Sequence, residues 1–209
     1  MLQIRWVRGG LILALSLMAL AALGPGAGGA KEPDAGAFLL ALSRDASLKL
    51  GSEQLSEVEK EANFRRMFRS AFDVAAISRF VLGKYWRSAT DAQREAFMAT
   101  FEELHMRRFL PLFAKYDDKS ITVESVQTED SKPNFFRVNS RIVRDEGEPI
   151  GVVWRIRDTG ESYQILDVVA EGVSMAISLR HEYGAVAKAD GIDGLLEQMR
   201  SKSAELAAE

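Results

Sequence analysis

Two side chains that could carry acid–base chemistry fall on one predicted strand. In the run from Glu161 to Val169, Tyr163 and Asp167 stand four residues apart with Ile165 between them. Residues two apart on a strand point to the same face, so these side chains are predicted to share a face with Val169. If that face is inward, an aspartate and a tyrosine share an apolar pocket, where a carboxyl group can act as a general base.

Asp167 also has a structural interpretation, which we favour. Small α+β folds with curved sheets house acid–base enzymes of the ketosteroid-isomerase type, so an enzyme that uses Asp167 and Tyr163 is the alternative function. Buried carboxylates are more often hydrogen-bonded structural groups, and Asp167 stands near a strand end, where a turn or an arginine can satisfy it. We therefore predict that the protein is not an enzyme.

The two histidines, His105 and His181, are too few for most histidine-based metal sites. The chain has no glycine-rich phosphate loop, no GxSxG and no HExxH. His105 falls on the apolar stripe of a predicted helix, where a hydrogen-bonded core histidine is more frequent than a proton-transfer residue. The sequence therefore predicts neither a metal nor a cofactor.

The elements that would position these residues begin with a helical half, from about residue 31 to residue 120. Asp73 can cap the segment "VAAISRFVL", and Gly83 follows it as a C-terminal cap. Thr90 and Gln93 have the spacing of a capping box that opens a long helix. On that helix, apolar and aromatic side chains recur every three or four residues and form one face.

From about Ser120 the apolar pattern changes to a period of two. Four segments alternate in this way and are separated by turn-like sequences, which predicts antiparallel strands with one solvent-exposed face. After the Glu171-Gly172 break, Ser174 can cap a further helix that Gly191 interrupts. The predicted fold class is α+β, with a helical layer packed on a curved, four-stranded antiparallel sheet.

The first thirty residues have the pattern of an export signal. Two arginines precede an apolar run of about fifteen residues, shorter than the roughly twenty that span a membrane, and small residues follow it. We predict a cleavable signal peptide over residues 1–30 and a single domain over residues 31–209; an uncleaved membrane anchor is the alternative. The absence of cysteine from an exported chain favours a bacterial periplasm.

Charge argues against nucleic acid as a partner. Lys and Arg number 27 against 30 Asp and Glu, and no block of like charge is long enough to form a polyanion-binding tail.

Two separated motifs resemble the MlaC family, also called the toluene-tolerance auxiliary family. The first is "FDVAAISRFVLGKYWRSATDAQREAFMATFEEL", followed by Phe109 and Tyr116 at aromatic positions. The second is "YQILDVVAEGVSMAISLRHEY", in which a strand with an aspartate meets a Glu-Gly-Val-Ser corner and a helix. The resemblance extends from about Phe64 to Leu196. At position 109 the family often has tyrosine where this chain has Phe109, and at position 163 it often has tryptophan where this chain has Tyr163. Both differences keep an aromatic ring.

The resemblance implies a soluble periplasmic carrier that holds a glycerophospholipid by its acyl chains, in an apolar cavity between sheet and helices. Members of the family exchange lipid between an outer-membrane lipoprotein–porin complex and an inner-membrane ABC transporter with its MCE-domain protein, and so maintain the lipid asymmetry of the outer membrane. The ligand could be a phospholipid or a hopanoid-type lipid, since relatives are associated with both. A structural adaptor without a ligand is a third hypothesis.

On this hypothesis the inward residues of both layers contact the lipid. The sheet would contribute Phe136, Val138, Ile142, Val152, Trp154, Ile156 and Ile165. The helices would contribute Phe80, Val81, Phe97, Phe101, Phe109 and Leu112. We expect the corner at Glu171, Gly172 and Val173 to be a mouth or hinge; the alternative is a packing corner in which Gly172 only supplies an unusual backbone angle.

Overall fold

The computed structural model describes residues 34–52, 54–113, 121–143 and 148–208. The predicted signal peptide, residues 1–30, lies outside these residues. Among the residues described, no helix is both long enough and apolar enough to cross a membrane.

Five helices form the amino-terminal half: α1 (Ala35–Leu50), α2 (Glu57–Ala71), α3 (Val74–Leu82), α4 (Lys84–Ser88) and α5 (Asp91–Phe113). The predicted caps are confirmed. Asp73 accepts a hydrogen bond from the Ala76 N–H at 2.9 Å. Thr90 and Gln93 bond each other's backbone N–H groups at 3.1 and 3.2 Å, as a capping box requires. Gly83, with φ 58°, ends α3 as expected.

The second half is an antiparallel meander in chain order: β1 (Ile121–Glu129), β2 (Lys132–Ile142), β3 (Ile150–Asp158), β4 (Tyr163–Ala170) and β5 (Val173–Ser174). The α+β class is confirmed, but the sheet has five strands rather than four. Glu171 and Gly172 have φ values of 49° and 81°, and positive φ at both central residues allows a two-residue hairpin turn. The chain therefore folds back after β4, and Val173 pairs with Ala170.

The last helix, α6 (Met175–Ala207), contains the predicted interruption. Ser174 Oγ caps it by accepting from the Ile177 N–H at 3.1 Å. Gly191 has φ 74° and ψ −175°, outside the helical region, so the helix is kinked there.

The helical layer is joined to the sheet at the start of α3. The Asp73 N–H donates to the Ile165 carbonyl at 3.0 Å, and the Asp73 carboxylate pairs with the Arg157 guanidinium of β3. Among the described residues, Phe72 packs against three apolar clusters, which lie within the helical layer, between α1 and the sheet, and between α1, α2 and α5. Phe72 and Asp73 thus hold the two layers together around the space between them.

Candidate functional site

An apolar cavity of about 280 Å³ lies between the helices and the sheet. Helices α1, α2, α3, α5 and α6 and strands β1 to β4 contribute to its walls. The polar side chains in the lining are those of Ser43, His105 and Asp167, and the indole of Trp154 adds one N–H. The remaining lining residues are Leu39, Leu42, Ala46, Phe64, Met67, Phe68, Ala71, Phe72, Ile77, Phe101, Phe109, Ile121, Ile142, Ile150, Val152, Leu166, Val168, Ala170, Met175, Ala176 and Leu179.

The sheet wall contains one buried polar pair. Trp154 Nε1 donates to Ser140 Oγ at 2.8 Å, and Ser140 Oγ donates to the Val152 carbonyl at 3.2 Å. Both residues lie at inward positions, and Val138 pairs with Trp154 across β2 and β3. Because these polar groups bond one another, the indole presents its apolar ring to the cavity without an unsatisfied N–H.

Helices α1 and α2 form much of the opposite wall, and this contribution was missed by the sequence interpretation. On α1, Leu39, Leu42 and Ala46 recur at three and four residues, the spacing that places side chains on one helix face. On α2, Phe64 and Phe68 do the same, and both are buried. The signal was present as periodicity, but it does not tell a helix that borders a cavity from one that fills a core.

Both carboxylate oxygens of Asp167 are hydrogen-bonded within the protein, at the corner that follows β4. One of its carboxylate oxygens accepts from the Ser174 hydroxyl at 2.6 Å, and the other accepts from the Ala176 N–H at 2.9 Å. These bonds tie the end of β4 to the first turn of α6, where the free N–H groups of the helix favour a negative charge. The carboxylate borders the cavity with both oxygens already engaged.

The expectation that Tyr163, Ile165, Asp167 and Val169 share one face is wrong. Ile165 pairs with Ile156, but Asp167 pairs with the adjacent Arg155, so Leu166 is an extra residue that shifts the alternation. After this shift, Val168 and Ala170 pack on the inward side in place of Val169. The predicted Asp–Tyr pair within one pocket is therefore not formed.

Tyr163 packs away from Asp167, against α1. Its ring lies 5.7 Å from that of Phe38 and 6.1 Å from that of Phe136, measured between centroids. Its hydroxyl oxygen accepts a hydrogen bond of 2.9 Å from the N–H of Asp34, the residue that caps α1. Tyr163 thus fixes the start of α1 on the sheet.

His105 is buried in the cavity wall, 2% exposed. Its Nδ1 lies 2.7 Å from the Phe101 carbonyl oxygen, and its ring stacks on Phe101 with centroids 4.0 Å apart. Burial, which disfavours the charged ring, lowers the pKa of His105 from 6.5 to about 4. Burial likewise raises the pKa of the nearby Tyr183 hydroxyl. Both side chains are therefore uncharged near pH 7.

The structure places the predicted lipid-contacting residues in different environments. Phe101, Phe109, Ile142, Val152 and Trp154 line the cavity. The other predicted sheet residues, Phe136, Val138, Ile156 and Ile165, share the inward face but are packed in the cluster that includes Ala35 and Leu39 of α1.

The remaining predicted helix residues lie elsewhere. Val81 and Phe97 are buried under α6, which packs across α3 and α5. Phe80 is 43% exposed, and the Arg180 guanidinium lies 4.9 Å from its ring centroid. The side chain of Leu112 lies outside the described residues. Contact between the predicted residues and a lipid stays a prediction.

Of the predicted hinge residues, Glu171 and Gly172 form the turn between β4 and β5, and Val173 is the first residue of β5. Val173 is 61% exposed, and a Cβ added at Gly172 would meet nothing within 4 Å. Met175, Ala176 and Leu179, in the first turns of α6, line the cavity. The turn therefore lies directly before a stretch of cavity wall.

No group of three or more His, Asp or Glu among residues 34–52, 54–113, 121–143 and 148–208 could hold a metal ion.

Comparison with known proteins gives one family. The model of the MlaC protein family matches residues 44–201. The intermembrane phospholipid transport system binding protein MlaC of Haemophilus influenzae is 29% identical over 128 residues, which span 60% of this chain and 59% of that protein. A solved phospholipid-binding protein from Ralstonia solanacearum, in complex with a phospholipid, superimposes with a TM-score of 0.63 over 82% of this chain and 93% of its own, at 19% identity. This structural similarity shows the shared fold.

Proposed function

Because this chain belongs to the MlaC family, we propose that it is a periplasmic carrier for a glycerophospholipid. The acyl chains occupy the cavity between the helices and the sheet, and the headgroup faces solvent. The protein moves the lipid between an outer-membrane lipoprotein–porin complex and an inner-membrane ABC transporter with its MCE-domain protein. The observation that supports this most directly is the apolar lining of the cavity, which both layers contribute.

The energetics of lipid transfer explain why a carrier is needed. Exposing one methylene to water costs about 0.8 kcal/mol, so two chains with about thirty methylenes face a barrier of roughly 24 kcal/mol. A protein that covers both chains removes most of this barrier. The required surface is apolar and holds few polar groups, because hydrocarbon offers them no hydrogen-bond partner.

The polar side chains of the lining are compatible with hydrocarbon. Both carboxylate oxygens of Asp167 are hydrogen-bonded within the protein. The lowered pKa of His105 keeps its ring neutral at periplasmic pH. No charged group of the described lining therefore has to be desolvated without compensation when acyl chains enter.

The cavity must enlarge to accept two chains. Its volume of about 280 Å³ lies just below the range of about 300–1,000 Å³ that is typical of sites for drug-sized ligands. We propose that the helical layer moves relative to the sheet during loading and release, with the Glu171-Gly172-Val173 turn as the hinge or mouth. A shift of the turn would move the first part of α6, which borders the cavity.

The turn can be tested with a matched pair of glycines. Gly172→Val and Gly160→Val both place a branched side chain at positive φ, 81° and 86°, with nothing within 4 Å of the added Cβ. Backbone strain is therefore comparable in the two variants. We expect Gly172→Val to change the rate of lipid transfer and Gly160→Val to leave it unchanged. Equal transfer rates in both variants and the wild type would show that the turn is not a hinge.

The proposed function is tested by transfer of a fluorescent phospholipid from donor to acceptor vesicles. We expect the protein to accelerate transfer in proportion to its concentration and to retain one lipid per molecule after separation from vesicles. Vesicle transfer at the spontaneous rate, with no lipid retained, would overturn the carrier function.

A further inference from the structure

A second, basic pocket lies on the outer side of the helical layer, where α3, α4 and α6 meet. Its volume is about 460 Å³, and its lining residues are Arg79, Gly83, Lys84, Trp86, Arg87 and Arg180. Four of the six are cations, and none is an acid. This pocket shares no lining residue with the apolar cavity.

The four cations are not paired with an acid of the described residues. Within the described part of the chain, no carboxylate lies within 4 Å of the charged atoms of Arg79, Lys84, Arg87 or Arg180. Four other arginines of the helices do have an acidic partner, namely Arg65, Arg69, Arg94 and Arg107; Arg65, for example, reaches Glu103 at 2.9 Å. In a chain with more acids than bases, four such cations around one concave space create a local positive potential that attracts an anion.

Part of this basic wall is held in place by the fold. Arg180 Nη1 donates to the Phe80 carbonyl at 2.6 Å, at the end of α3. Gly83 makes room for it, since a Cβ there would lie 3.0 Å from the guanidinium carbon. On the other side, the Arg79 guanidinium carbon lies 5.8 Å from the centroid of the Trp86 ring. These contacts position charge before any partner arrives, which lowers the entropy cost of binding.

We propose that this basic pocket is a docking site for an acidic segment of a partner protein, whose Asp or Glu side chains enter it. Guanidinium groups present parallel N–H donors that match a carboxylate. A flat bilayer cannot enter a concave pocket, and the excess of acids over bases in the chain opposes a general attraction to anionic lipid. The proposal does not depend on what the apolar cavity binds.

The test uses a labelled hexaglutamate peptide, with hexaglutamine as the neutral control, and fluorescence anisotropy on the purified protein. The pocket variant is Lys84→Glu with Arg87→Glu, since both side chains are exposed. The control variant is Lys188→Glu with Arg200→Glu, the same charge change at exposed positions of α6 outside the pocket. Thermal unfolding and bound lipid are measured for each protein, so that a folding defect or a loss of lipid is recognised.

We expect hexaglutamate to bind the wild type and the control variant, and the affinity to fall as salt is added. We expect its affinity for the pocket variant to be lower by a factor of about ten or more. Binding that is absent, or equal in all three proteins, would overturn the proposal. Cosedimentation with vesicles of phosphatidylcholine and phosphatidylglycerol tests whether the pocket binds lipid phosphate instead. If the pocket variant loses vesicle binding while hexaglutamate binding is unchanged, the pocket recognises lipid phosphate and the proposal is wrong.

Discussion

The indole N–H of Trp154 donates a hydrogen bond of 2.8 Å to the hydroxyl oxygen of Ser140, within the sheet wall of the apolar cavity. Both residues are buried, Ser140 at 1% exposure and Trp154 at 6%. Trp154 can therefore contribute a large apolar surface to the cavity while its polar atom is bonded on the side of the sheet. The pair allows a tryptophan where an unpaired indole N–H would be costly.

Replacing Ser140 with alanine should destabilise the protein by about 1–3 kcal/mol, because the Trp154 N–H is left buried without a partner. Urea denaturation gives the free energy of unfolding. In a Trp154→Phe background the same Ser140→Ala change should cost clearly less, since no indole N–H remains. An equal cost in both backgrounds would show that the pair contributes nothing.

Placing a charge in the α1 wall should weaken lipid binding. Leu42 lines the cavity and is half-buried, whereas Leu48, on the same helix, is 67% exposed and lies outside the lining. Leu42→Asp should lower lipid occupancy about tenfold or more, because a carboxylate facing hydrocarbon is left without water or a partner. Lipid extraction and phosphate analysis measure occupancy, and Leu48→Asp should leave it unchanged. Equal occupancy in both variants would place the lipid elsewhere.

His105 should make the protein less stable in mild acid. The unfolded chain binds a proton at this side chain as the pH falls through 6.5, but burial keeps the folded pKa at about 4. Between these values the unfolded state holds more protons, so stability is present above pH 6.5 and decreases toward pH 4, by about 1.4 kcal/mol per unit and about 3 kcal/mol in total.

Urea unfolding at several pH values measures this dependence. His105→Leu should flatten the loss of stability between pH 6.5 and 4, whereas His181→Gln, at an exposed position, should not change it. The assignment to His105 fails if the slope is the same in His105→Leu and the wild type.

Local sequence signals predicted the elements well. The caps at Asp73, Thr90 and Ser174 and the interruption at Gly191 depend on interactions within a few residues, so their residue types were sufficient. The Glu171-Gly172 break was also visible, but the pairing of Val173 with Ala170 depends on the hairpin geometry that the two positive φ values create.

The walls of the cavity were less predictable, because they depend on contacts between distant segments. The extra residue at Leu166 appears only in the pairing of β4 with β3, and it moves Asp167 off the predicted face. Phe97 has the periodicity of a cavity residue, but Tyr183 of α6 packs on it, with ring centroids 6.1 Å apart. An apolar stripe predicts that a helix or strand face is covered, but only tertiary packing determines which element or ligand covers it.

A disulfide between α1 and β1 should hold the cavity closed. A Cβ added at Gly36 would lie 3.1 Å from Val126 Cγ2, close enough for Gly36→Cys and Val126→Cys to be bridged. The chain has no other cysteine, so only this bond can form. If α1 moves away from the sheet during loading, the oxidised double variant should take up lipid from vesicles severalfold more slowly.

Reduction should restore the uptake rate of the double variant, and each single cysteine variant should load at the wild-type rate under both conditions. Full-rate loading of the oxidised protein would show that α1 stays fixed on β1 and that another element opens the cavity.

The proposed ligand of the apolar cavity is a two-chain phospholipid. Native mass spectrometry of the purified protein, followed by organic extraction and lipid analysis of what dissociates, tests it most directly. We expect one glycerophospholipid for each protein molecule. A protein that carries no ligand, and that also fails to take up phospholipid from vesicles, would contradict it.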